Sequence, residues 1–101
     1  MDFGTIGSNP CEMRLNEMLM ELNDRKITKY VTRNLLEFRQ GLRELRLLDG
    51  EPHQLILIQL WRDHYIKAIH DKVLPESVKT HMLCCLTAYF RNTINDIRSV
   101  A

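Results

Sequence analysis

The sequence predicts an all-α fold, a four-helix bundle with short loops. Only 3 prolines and 4 glycines occur in 101 residues, which leaves few breaks for a turn-rich β fold. Each proline (Pro10, Pro52, Pro75) stands at the start of a long run, where the missing amide costs nothing in a helix. Apolar residues recur at steps of three and four in each run. We therefore expect a tail at 1–8 and one helical domain at 9–101.

The first helix is expected from Pro10 to about Asp24. Asn9, Pro10 and Glu12 suit the N-cap, N1 and N3 positions of a capped start. Met13 and Met20 lie off its apolar stripe, and ordinary bundle packing is favoured over a second apolar contact there. The residues that share the stripe are Cys11, Leu15, Met18, Leu19 and Leu22.

The second helix is expected from about Ile27 to Leu48, with a nearly heptad apolar seam. Gly41 lies inside it and indicates a kink or a close helix crossing, because glycine is unfavourable in a helix interior. Gly50 is a candidate for the left-handed position that ends a helix. The seam consists of Ile27, Val31, Leu35, Phe38, Leu42 and Leu45.

The third helix is expected from Pro52 to about Val73, and the fourth from Pro75 or Ser77 to about Ser99. Both are apolar over more of their circumference than a simple surface helix. Such breadth indicates a central helix or a helix that also meets another chain. The candidate partner-binding residues are Ile56, Leu57, Leu60, Trp61, Phe90 and Ile94.

The charge pattern gives the strongest polar signal. The net charge of +1 provides no global field for nucleic acid or membrane, but acids concentrate in the first run and bases in the second. Helices one and two are therefore expected to face each other with complementary surfaces. Arg39, Arg43 and Arg46 share one flank of helix two and, with Arg33, are candidates for contact with phosphate or an acidic partner. The alternative is solvated arginines that pair with helix-one acids.

Two further classes of partner are not expected. No short turn of the helix-turn-helix kind is evident between the helices, so reading of base edges is not indicated. The longest uninterrupted apolar run, 55–58, is far too short to span a membrane.

The cysteines and histidines give no pattern for chemistry. Cys11, Cys84 and Cys85 are odd in number, which favours free thiols in an intracellular protein, cytoplasmic or nuclear. Asp2 and the absence of an apolar segment argue against a secretory signal. His81 and Cys85 are spaced like a base and a nucleophile, but nothing supplies an oxyanion site. We expect no enzyme, no metal, no cofactor and no small-molecule substrate.

Several short motifs lie at the start of the fourth helix and along it, and one lies before the first helix. Val73-Leu74-Pro75 precedes His81-Met82 and then Tyr89-Phe90, and Phe3-Gly4 precedes the first helix. This resembles the α-helical domain of the Psf-one subunit of GINS, the tetrameric eukaryotic replication factor. The chain departs from that family where helix three begins, since Pro52-His53 replaces a basic segment. The resemblance implies scaffolding through helix packing against sister subunits, with no catalytic residues.

The leading expectation is a non-enzymatic protein–protein interaction or scaffold subunit of a larger assembly, with a protein partner or self-association. The alternative is a small nucleic-acid-binding regulatory protein that uses the arginine stripe on helix two.

Overall fold

Four α-helices form the fold in a computed structural model, which describes residues 10–100. They are α1 (Pro10–Leu22), α2 (Arg25–Arg46), α3 (Gln54–Asp71) and α4 (Glu76–Val100), and no strand occurs among these residues. The all-α four-helix prediction is confirmed. The expected tail at 1–8 and the Asn9 cap lie outside the described residues. No helix within 10–100 combines the length and apolar character needed to cross a membrane.

The prolines stand at or near helix starts, as predicted. Pro10 is the first residue of α1. Pro75 directly precedes α4, and its carbonyl accepts a hydrogen bond from the Lys79 amide at 3.1 Å. Pro52 lies in the turn before α3, which begins slightly later than expected.

The junction between α1 and α2 lies two residues earlier than predicted. Asn23 has a left-handed backbone (φ 52°), and its amide donates to the Leu19 carbonyl at 3.0 Å. The Asp24 carboxylate then accepts the amides of Lys26 and Ile27 and caps α2. Only Asn23 and Asp24 separate the two helices, in agreement with the short loops expected of the bundle. Gly50 does have positive φ (89°), but it lies beyond Leu47, which caps the end of α2.

The four helices do not pack as a regular square. α2, α3 and α4 each pack against the other two, whereas α1 packs closely against α4 and makes only minor contact with α2 and α3. Leu15 and Leu19 bury the inner side of α1 in the common core. The closest packing of α1 is therefore with α4 and not with α2, the helix whose charge it complements.

This arrangement explains the breadth of the apolar surface on α4. α4 lies against all three other helices, so it buries residues around much of its circumference. α3 packs mainly against α2 and α4, and no helix within 10–100 covers the exposed part of its apolar surface. The buried apolar residues of α4 are Val78, Met82, Cys85, Leu86 and Tyr89.

Gly41 marks a close crossing between α2 and α3, as predicted. The indole Nε1 of Trp61 donates to the Phe38 carbonyl at 3.0 Å, which brings the ring flat onto α2. A Cβ atom at position 41 would overlap atoms of that ring. Glycine is therefore required by the position of Trp61.

Candidate functional site

The outer side of α3 exposes three adjacent apolar side chains, which we call the α3 surface. Its members are Ile56, Leu57 and Leu60, and Ile56 and Leu60 are 54% and 59% exposed. Ile56 and Leu60 are four residues apart and so share one side of the helix. Leu47, in the connection that precedes α3, is also exposed. The first two turns of α3 therefore present an apolar surface that no other described helix covers.

Buried contacts determine which side of α3 faces outward. The Gln54 side chain is buried, and its Nε2 donates to the carbonyls of Leu45 and Arg46, both at 3.0 Å. It thus bonds the Arg46 carbonyl and adds a second hydrogen bond to the Leu45 carbonyl, which also accepts the Leu48 amide. Ile58, Tyr65 and Ile69 face the core from the same side of α3. Because this side is turned inward, Ile56 and Leu60 must point away from the bundle.

The other three predicted contact residues have structural roles. Trp61 is half-buried on α2, with its ring centroid 4.9 Å from that of Tyr65. The Arg62 guanidinium carbon lies over the Phe90 ring, 4.4 Å from the ring centroid. Ile94 packs against the core. Of the six candidate contact residues, these three are therefore partly used in packing within the bundle, whereas Ile56, Leu57 and Leu60 are exposed.

The arginine stripe borders a cleft at the Pro10 end of α1, which we call the arginine cleft. Its volume is about 630 Å³, and Arg39, Arg43 and Arg46 all line it. Their predicted placement on one flank of α2 is confirmed. Arg33 does not join them, because it lines a different groove nearer the start of α2. The walls facing the arginines include Glu12, Tyr89, Asn92, Thr93 and Asp96.

The arginines differ in how far their charges are already engaged. Arg46 forms an ion pair with Asp96 (Nη1–Oδ2, 2.9 Å), which joins α2 to α4. The Arg39 guanidinium lies 5.0 Å from the centre of the Tyr89 ring. Arg43 is exposed and forms no ion pair with another residue of 10–100. It is the arginine most available to an anionic ligand.

A buried carboxylate lies behind the arginines. Glu12 is only 2% exposed, and its Oε2 and the Tyr89 hydroxyl each lack a well-formed hydrogen bond. Burial raises the pKa of Tyr89, and the charges of Cys85 and Glu12 raise it further. The arginine cleft therefore has mixed charge. The burial of Glu12 could not be predicted from the sequence, since a carboxylate in the first turn of a helix is normally solvated.

A second opening lies between α1 and the first half of α2, which we call the α1–α2 groove. It has a volume of about 960 Å³, and its apolar lining includes Leu19, Met20 and Leu36. Met20 is 80% exposed. The basic residues along its α2 side are Arg25, Lys29 and Arg33.

The cysteines are not all free, contrary to prediction. Cys11 and Cys84 form a disulfide between α1 and α4, with Cα atoms 6.2 Å apart. Cys85 is a buried free thiol whose pKa burial raises to about 12, with a smaller contribution from the charge of Glu12. Cys85 is therefore a thiol at neutral pH and lacks the thiolate character of a nucleophile. His81, which has the spacing of a base relative to Cys85, has Nδ1 2.8 Å from the Ser77 carbonyl oxygen.

No three histidine, cysteine, aspartate or glutamate side chains within residues 10–100 come together as a metal site. No protein-family model, curated protein or solved structure matches the chain.

Proposed function

We propose that this protein is a non-enzymatic interaction subunit of a larger assembly and that the α3 surface binds an apolar face of a partner protein. The observation that carries the proposal is the contrast between α3 and α4. Both are broadly apolar, but α4 is covered by three neighbouring helices whereas Ile56, Leu57 and Leu60 remain exposed. Contiguous exposed apolar residues on a folded domain are characteristic of interaction sites.

The distribution of charge along α3 supports a partner contact that is limited to the first half of the helix. Its second half carries two ion pairs, Arg62–Asp63 and Lys67–Asp71, whereas its first two turns have no charged residue. An apolar centre with a charged rim is the usual anatomy of a protein interface. The fitting partner is a helix with an apolar stripe, and the resemblance to the GINS domain suggests a replication assembly as its setting.

Substitution of the α3 surface tests the proposal. Leu60→Asp is expected to reduce partner recovery at least about tenfold, because a charge would be buried in the contact. The measurement is affinity purification of the tagged full chain with quantitative mass spectrometry. Gln59→Asp adds the same charge at an exposed neighbouring position of the helix and is expected to retain partners.

Circular dichroism melting establishes that both variants are folded. If Leu60→Asp is folded and still recovers the same partners as the unchanged protein, the α3 surface is not the binding site.

A second candidate function is binding of nucleic acid through the arginine cleft. It is favoured by one observation: three guanidinium groups border one cleft, and that of Arg43 forms no ion pair within 10–100. The ion pair of Arg46 and the buried Glu12 both weaken the attraction of this cleft for phosphate.

The test is duplex DNA binding by fluorescence anisotropy over a range of salt concentration. Arg43→Gln is expected to weaken binding and to reduce the salt slope by about one, because one phosphate contact is lost. Lys26→Gln removes an exposed charge of α2 outside the cleft and serves as the control. Absence of binding by the unchanged protein at low salt eliminates this function.

A further inference from the structure

We propose that the α1–α2 groove joins two copies of this chain, with the outer side of α1 from each copy seated in the groove of the other. This contact is separate from the α3 surface and does not depend on it. The inference follows from three features: an open apolar groove, the residues that α1 turns outward, and the separation of charge between α1 and α2.

No helix within 10–100 of the same chain fills the α1–α2 groove. α1 and α2 are joined by only Asn23 and Asp24, yet they are not closely packed. Between them lies a space of about 960 Å³ with Leu19, Met20 and Leu36 in its lining. This volume and apolar lining suit a helix face rather than an isolated side chain.

The outer side of α1 has the composition that such a groove would accept. Met13 is 61% exposed and Met20 is 80% exposed, and they are seven residues apart on one side of the helix. Methionine side chains adapt readily to apolar surfaces. Glu17 and Glu21 are exposed beside them.

Charge complementarity identifies a second copy as the occupant. Arg25, Lys29 and Arg33 follow one another at steps of four along the α2 side of the groove. Two acids also line it, but Asp24 caps α2 and Glu37 accepts the Tyr65 hydroxyl at 3.4 Å. None of the three forms an ion pair with Glu17 or Glu21 of α1 within the described residues. An α1 helix from another copy would bring acids to this basic rim and methionines to the apolar lining.

The proposed contact has the symmetry of a closed dimer. Each chain supplies both parts of it, the acidic and methionine-bearing α1 and the basic groove. Met20 belongs to both parts, since it is exposed on α1 and lines the groove. A twofold axis therefore satisfies both halves at once, which is the arrangement of most small homodimers.

Sedimentation velocity on a dilution series of the full chain tests the proposal. The unchanged protein is expected to form dimers that dissociate on dilution and weaken with salt. Lys29→Glu with Arg33→Glu is expected to weaken dimerisation at least about tenfold through repulsion by the α1 acids. Lys26→Glu, outside the groove, is the matched control and is expected to change dimerisation little.

A complementary pair of variants gives the sharper result. Glu17→Lys with Glu21→Lys is also expected to weaken self-association. An equimolar mixture of this variant with Lys29→Glu/Arg33→Glu is expected to recover heterodimers, because opposite charges then face each other in both halves of the contact.

Two results would overturn the proposal: a protein that is monomeric at every concentration, or a dimer that survives the charge reversals. A dimer lost only in Leu60→Asp would place self-association on the α3 surface instead. The groove variants could self-associate like the unchanged protein while partner recovery still depends on Leu60. That result would reject this inference and leave the proposed function intact.

Discussion

Reduction of the Cys11–Cys84 disulfide is expected to lower the free energy of unfolding by about 4 kcal/mol. The bond joins residues 73 positions apart in sequence, so it greatly restricts the unfolded chain. It also ties α1 to α4, the helix on which α1 packs. The measurement is urea denaturation followed by circular dichroism, with and without dithiothreitol.

The double variant Cys11→Ser/Cys84→Ser is the control for effects of the reductant itself. It is expected to match the reduced protein and to show no response to dithiothreitol. Thiol titration in denaturant should find Cys85 alone in the oxidised protein and all 3 cysteines after reduction. Identical denaturation curves for protein shown to be oxidised and protein shown to be reduced would contradict the prediction.

Replacement of Gly41 by alanine is expected to destabilise the protein by about 2 kcal/mol, as overpacking of a tight contact does. Alanine alone would favour the α2 helix by up to about 1 kcal/mol over glycine. The added methyl group, however, would overlap the Trp61 ring, which is held by its hydrogen bond to the Phe38 carbonyl. The measurement is again the free energy of unfolding in urea.

The same substitution in a Trp61→Leu background separates the two contributions. Without the indole ring, Gly41→Ala is expected to be neutral or stabilising, since only helix propensity remains. Trp61 is the only tryptophan in the sequence. A changed tryptophan fluorescence spectrum in Gly41→Ala would therefore also report displacement of its ring. A Gly41→Ala protein more stable than the unchanged chain would show that Trp61 does not restrict position 41.

Helix number and approximate bounds could be predicted because they depend on local signals. Prolines, apolar periodicity and the spacing of Arg39, Arg43 and Arg46 each report on one helix at a time. The junction at Asn23-Asp24 carried a local signal too, an asparagine suited to positive φ followed by an aspartate N-cap. Proper weight on these two residues would have predicted both the end of α1 and the earlier start of α2.

The candidate sites were less predictable because they depend on which helices become neighbours. Apolar breadth looks the same in sequence whether a helix lies at the centre of a bundle or meets another chain. The apolar pattern therefore groups Leu60 with Phe90, although Leu60 is exposed and Phe90 packs against the core under Arg62. The pairing of Cys11 with Cys84 is likewise a property of the tertiary fold, so the odd cysteine count was misleading.

The packing of α1 on α4 has a consequence for synthesis on the ribosome. α1 is made before α4, yet α4 supplies the main surface that covers Leu15 and Leu19. A nascent chain that contains α1, α2 and α3 still lacks this cover, because translation proceeds from the amino end and long-range contacts must wait for both partners. Leu15 and Leu19 should therefore remain available to chaperones until α4 leaves the exit tunnel.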